Sequence, residues 1–219
     1  MGNIHKKTEE EIRRINELQR RYFDQVVDIF EQPLPEDVVE RLEHIVAAGE
    51  IREGDTVLDV GAGTGALTPM ILSYKPAKII ACDLSGKMLE SLKHRYPSVE
   101  TYVCDVRDLS LPHESVDVTF INALFGNIAD KHSALANLRG IMKPSSRLII
   151  SHPQGRMFIE KLKGQVPFSL DSLPDFLEGD RLLSPYGFEV VKYIDEAKLY
   201  IILAKKQESK KEKWLETAQ

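Results

Sequence analysis

From residue 55 to residue 205, short apolar runs alternate with helical segments, and this alternation constrains the fold more than any other feature of the chain. The runs fall at 55–60, 78–83, 100–104, 116–121, 146–151, 188–194 and 198–205, each the length of a buried strand. Helical stretches lie near 66–74, 86–95, 130–141 and 172–184. Strands separated by helices pair in parallel, because a parallel crossover needs a dozen or more residues to return to the same edge. Only Asp195 to Ala197 separates the last two runs, so those two strands must form an antiparallel hairpin. The expected fold is α/β: a doubly wound, seven-stranded mixed sheet, parallel except at its closing hairpin.

The segment before residue 55 is helical. Ile12, Ile15, Leu18, Tyr22, Val26 and Ile29 recur at steps of three and four, which predicts one amphipathic helix over 8–31. Thr8 and Glu11 have capping-box spacing, and Pro33 and Pro35 end the pattern. A second helix carries Val38, Val39, Leu42, Ile45 and Val46 inward, with Gly49 placed to stop it. Residues 1–50 are therefore read as an N-terminal helical cap, 51–206 as the main domain, and 207–219 as a charged tail in which Trp214 is a candidate anchor. Residues 155–176 exceed a plain connection and mix apolar with basic side chains, the pattern of a lid or substrate wall.

Composition excludes several classes. With 29 basic and 34 acidic residues, the net charge of −5 gives no general basic field for nucleic acid. Two cysteines, Cys82 and Cys104, make no disulfide framework, and small buried thiols are the expected role. No apolar run reaches the roughly 18 residues of a membrane span. With no export leader, and with Lys6 where a myristoylation signal needs Ser or Thr, the expectation is a cytoplasmic protein. The six histidines show no metal-ligand spacing.

The stretch "VLDVGAGTGALT", Val57 to Thr68, places glycines where a strand turns into a helix. Glycine is needed there for positive φ or for close approach of a ligand to the backbone, and the loop amides attract negative groups. Read as Gly61, Gly63 and Ala66, the same residues satisfy a dinucleotide pattern, with Asp83 near the distance of a ribose-binding acid. Asp59 argues for a different ligand: a carboxylate two residues before the first glycine suits an ammonium group and does nothing for a pyrophosphate. Asp83 and Asp105 end successive strands, at the edge where open sheets bind ligands. One suits ribose hydroxyls and the other an adenine amino group, which together describe a nucleoside joined to an amine.

The ordered stretches "VLDVGAGTGALT", "ACDLSGKMLESL", "CDVRDLSLP", "VDVTFINALFGNI" and "MKPSSRLIIS" resemble the motifs of class I S-adenosylmethionine-dependent methyltransferases, over about residues 50–152. The resemblance implies a Rossmann-like sheet ordered 3-2-1-4-5-7-6, with S-adenosyl-L-methionine as cofactor. It implies that Gly61, Ala62, Gly63 and Gly65, with Asp59, hold the methionine end, and that Asp83 takes the ribose hydroxyls. Leu84 and Met88 would pack on adenine, Asp105 and Val106 would bind its edge, and Asn122 and Ala123 would flank the sulfonium. The chain departs from the pattern twice: Ser145-Ser146 stands for a Gly-Gly turn before strand five, and "LFGNIAD" stands where many small-molecule members carry His-His.

For the acceptor, the sequence offers Tyr22, Phe125, Arg156 and Phe158 as contacts, with Tyr22 or Phe23 closing over the site. His152, directly after strand five, is a candidate base. The expected partner is a small-molecule methyl acceptor, with neither nucleic acid nor membrane; no Asn-Pro-Pro-Tyr-like stretch follows strand four. Two other readings stay open: an NAD-dependent oxidoreductase using the dinucleotide pattern, and a non-catalytic cofactor-binding subunit of the same fold.

Overall fold

The computed structural model describes residues 7–208; His5, Trp214 and nearly all of the charged tail lie outside the described residues. Seven strands form one sheet: β1 (Thr56–Val60), β2 (Lys78–Asp83), β3 (Glu100–Val103), β4 (Val116–Asn122), β5 (Met142–His152), β6 (Phe188–Glu196) and β7 (Leu199–Lys206). Their order is β3-β2-β1-β4-β5-β7-β6, with β7 antiparallel to both of its neighbours. The closing hairpin pairs Glu196 with Leu199, so its loop is only Ala197 and Lys198.

Helices cover both faces. Before the sheet come α1 (Glu9–Gln25), α2 (Val27–Phe30) and α3 (Glu36–Ala48). Between and after the strands come α4 (Thr68–Ser73), α5 (Gly86–Arg95), α6 (Lys131–Ile141), α7 (Arg156–Leu162) and α8 (Phe176–Leu183). One core layer joins Leu42, Ile45 and Val46 of α3 and Leu89 and Leu92 of α5 to Val57, Val118, Phe120 and Ile149 of the sheet. The opposite layer joins Leu135, Leu138 and Ile141 of α6 and Leu183 of α8 to Leu58, Ile121, Leu148 and Ile150. Adjacent strand residues thus enter opposite cores. That is why these strands read as continuous apolar runs instead of alternating ones.

Three sequence expectations need correction. The helix predicted over 8–31 keeps its Thr8–Glu11 capping box but breaks at Val26, dividing into α1 and α2. β5 begins at Met142, four residues earlier than its apolar run. Ser145-Ser146 is no turn but part of a bulge, with Ser145 at φ 59° where the pairing jumps from Val116–Met142 to Val118–Arg147. The helix predicted at 172–184 starts at Phe176, and the insert before it contains α7.

Candidate active site

The carboxyl ends of β1, β2, β3 and β4 open into a cavity of about 970 Å³. Its floor is the bend after β1. Gly61 has φ 68°, and a Cβ there would meet Leu124 side-chain carbons at 2.5 Å, so both conformation and packing demand glycine. Gly63, at φ 54°, is different: a Cβ would meet nothing within 4 Å, so the only thing it would intrude on is the cavity itself. The bend is tied to β2 through Asp83, whose carboxylate accepts from the amide of Gly63 at 2.9 Å and from that of Ser85 at 2.9 Å. Burial raises the Asp83 pKa, and these amides partly oppose the rise. Asp83 is not the α5 cap: Ser85 fills that role, accepting from the Met88 amide at 3.1 Å.

Asp59 is the most unusual charge in the cavity wall. It is 3% exposed, and no described residue donates a hydrogen bond to its carboxylate. Burial, reinforced by the nearby charge of Asp83, pushes its pKa up to about 7. A buried carboxylate without a cation is costly, and a cationic ligand group would remove that cost. Asp105, at the end of β3, is better provided for. It accepts from the Arg107 amide and guanidinium at 3.0 and 2.8 Å and from Asn16 of α1 at 2.6 Å. Ala123, after β4, holds φ 54°, a conformation rare for a residue with a side chain, and borders the same space.

The roof is the N-terminal segment. Asn16, Gln19 and Phe23 of α1 and the stretch from Ile29 to Leu34 line the cavity. Gln19 donates to the Asn127 carbonyl at 2.7 Å, Lys7 to the Ala129 carbonyl at 3.1 Å, and Ser85 to Asp24 at 2.6 Å. Thr64 in the glycine bend donates to the Phe30 carbonyl at 2.9 Å, while Arg95 donates to the Thr64 carbonyl. Sequence reasoning missed Asn16, Gln19 and Asn127. For Asn16 and Gln19 the available signal was polar residues on the inward face of an otherwise apolar helical stripe; Asn127, on the turn after β4, carried none.

The structure brings together Asp59, Gly61, Ala62, Gly63, Gly65, Asp83, Leu84, Met88, Asp105, Val106, Asn122 and Ala123, all of which line the cavity. It does not bring the expected acceptor residues there. Phe125 is 1% exposed in the core, beneath the Lys131 ammonium. Arg156 pairs with Asp195 at 3.0 Å. Phe158 lies against the His152 ring, and Tyr22 packs edge-on against Phe168 while its neighbour Phe23 reaches the cavity. His152 is 4% exposed, outside the lining. Its Nδ1 accepts from the Gln154 amide at 3.1 Å, and burial lowers its pKa to about 4. The insert at 155–176 supplies no lining residue; it packs over the β4–α6 connection, where the Asp171 amide donates to Gly126.

A cavity of this size at the switch edge of a doubly wound sheet, with a side-chain-free bend and acids at successive strand tips, places the chain among α/β proteins that take a small ligand at the strand ends. Residues 58–150 match the family model described as a methyltransferase domain. An uncharacterized methyltransferase of Schizosaccharomyces pombe is 35% identical over 100 residues, 46% of this chain and 39% of that one. The demethylmenaquinone methyltransferase of Paenarthrobacter aurescens is 32% identical over 114 residues, 50% of this chain and 44% of its own. The chain thus spans less than half the length of these relatives. Among solved structures, the Burkholderia thailandensis 1,6-didemethyltoxoflavin-N1-methyltransferase with bound S-adenosylhomocysteine shares the fold. Its TM-score is 0.68 at 19% identity, covering 90% of this chain and 91% of that one. Over residues 58–150 the chain is thus similar to the methyltransferase domain, and it shares its fold with S-adenosylmethionine-dependent methyltransferases of known structure.

Proposed function

We propose that this chain transfers a methyl group from S-adenosylmethionine to a small-molecule acceptor. The observation that carries the proposal is Asp59, a buried carboxylate with no cation beside it among the described residues, set directly before a glycine bend whose empty side faces the cavity. Asp59 pairs with the ammonium of the methionine end, and the backbone of Gly61 to Gly65 cradles that end. Asp83, already oriented by two backbone amides, turns its remaining lone pairs to the ribose hydroxyls. Leu84 and Met88 pack on the adenine, Asp105 and the Val106 amide meet its edge, and Asn122 and Ala123 lie along the sulfonium. A pyrophosphate in this place would face Asp59, Asp83 and Asp105 together, which opposes the NAD reading.

S-Adenosylmethionine supplies a methyl group already activated by the sulfonium charge. The chain's own task is then to align an acceptor and exclude water, and the α1–α2 roof over the strand ends suits both. His152 takes no part as a base in this reading, because its ring lies outside the cavity wall. A small-molecule acceptor is supported by the roofed cavity and by similar proteins whose names specify demethylmenaquinone and 1,6-didemethyltoxoflavin.

Calorimetry with S-adenosylmethionine and with NADH tests the reading. Asp83→Ala should weaken S-adenosylmethionine by about 10–100-fold, the worth of charge-assisted hydrogen bonds, with the melting temperature near that of the parent. Binding of NADH in preference to the sulfonium compound overturns the proposal. Cofactor binding without turnover on phenols, amines, thiols or carboxylates points instead to a non-catalytic subunit.

A further inference from the structure

Among the polar side chains of the cavity wall that the cofactor assignment does not use, Asn127 is buried without a side-chain partner among the described residues. Asn127 sits on the single turn after β4, from Phe125 to Asn127, and is 8% exposed. Its backbone is fully engaged: the amide donates to the Leu124 carbonyl at 2.7 Å, and the carbonyl accepts from Gln19. Its side-chain amide has no partner among the described residues, yet its atoms are not sealed away, since Asn127 borders the cavity. A buried amide with one donor and one acceptor face free is a recognition group waiting for a ligand of the same character.

The charges around it restrict that ligand. Glu31, Glu43, Asp59, Asp83 and Asp105 line the cavity, and among the described residues the one cationic side chain in the wall is Arg95, which donates to the Thr64 carbonyl. Carboxylates thus outnumber cations in the wall, which opposes a phosphate or carboxylate ligand, while Phe23, Phe30, Leu34 and Met70 offer apolar surface. Resting on the methyltransferase reading, we infer that Asn127 is the acceptor-recognising residue, and that the acceptor is an uncharged, mainly apolar ring compound bearing a hydroxyl, keto or ring-nitrogen group. Gln19 positions Asn127 from the roof, so acceptor recognition and closure of α1 are the same event.

The test uses full-length protein and three probes: 2-naphthol, 2-naphthoate and naphthalene, each titrated into protein saturated with S-adenosylhomocysteine. 2-Naphthol should bind about tenfold or more tightly than 2-naphthoate, because Glu31 and Glu43 add negative charge to the wall that the cofactor does not pair. Asn127→Leu, and the smaller Asn127→Ala as a control for packing, should weaken 2-naphthol by about tenfold while leaving naphthalene and S-adenosylhomocysteine within about twofold. Equal binding of naphthol and naphthoate, no naphthol binding at all, or unchanged naphthol affinity in both variants overturns the inference. So does a matching loss of S-adenosylhomocysteine affinity, which assigns Asn127 to the cofactor. Failure of the parent to bind S-adenosylhomocysteine instead removes the methyltransferase reading itself.

Discussion

Asp59 carries the pH behaviour of the cavity. Unfolded, its carboxyl ionises near the ordinary 3.8; folded and unliganded, it keeps its proton until about pH 7. Between those values the folded state binds the extra proton, so this group's contribution to stability falls as pH rises through the window. Asparagine has the same shape and does not ionise. Asp59→Asn should therefore stabilise the unliganded protein at pH 8 by on the order of 1–4 kcal/mol and change little near pH 4. It should also weaken S-adenosylmethionine, whose ammonium loses its partner. Urea unfolding at the two pH values, beside a titration with the cofactor, checks both halves; equal stability at pH 8 would mean that the carboxylate has a partner after all. Asp59 was legible in the sequence as an acid inside an apolar strand. His152, expected at the site, lies off the cavity wall for a reason of phase: Ser151 donates to Asn122 at 3.0 Å, whose side borders the cavity, so the next residue points to the other face of the sheet. Its apolar flanks did not reveal that one-residue shift.

Among the elements, α1 departs most from what its sequence suggests. The apolar stripe predicts a helix seated on a core, but only Ile12 and Gln19 are buried in it; Ile15, Leu18 and Tyr22 stay half-buried, and Asn16, Gln19 and Phe23 face the cavity. Polar anchors hold it, through Asn16 to Asp105, Gln19 to Asn127 and Asp24 to Ser85. Those anchors were invisible in the sequence because each joins residues at least 61 positions apart. Asp24→Ala removes one anchor while leaving Ser85 free to cap α5. Losing a hydrogen bond to a charged group should cost the closed roof about 1.5–3 kcal/mol, read as roughly 10–100-fold faster amide exchange across α1. Exchange in β4 and β5, beneath the roof, should stay at the parent rate. Unchanged exchange in α1 would show that Asp24 bears no load.

At the scale of the whole molecule, the sheet was legible because its strands are buried on both faces, and a two-residue hairpin loop leaves only one way to close it. The insert at 155–176 was not: its apolar residues suited a substrate wall and a surface plug equally well. Phe168 in fact packs against Tyr22 and Phe23, outside the cavity. The insert thus touches the roof without lining the cavity, so a ligand there contacts α1 and not the insert, and that difference can be measured. A ligand at about 100 times its Kd that binds only the folded chain adds about 2.7 kcal/mol. For a chain of this size the melting midpoint should then rise by roughly 5–10 °C. S-Adenosylhomocysteine should slow amide exchange in α1 and in the bend from Gly61 to Leu67, and leave the locally opening amides of α7 and 163–176 at their free rates. Protection of 155–176 with α1 untouched would move the ligand to the opposite side of the sheet edge and restore the insert as its wall.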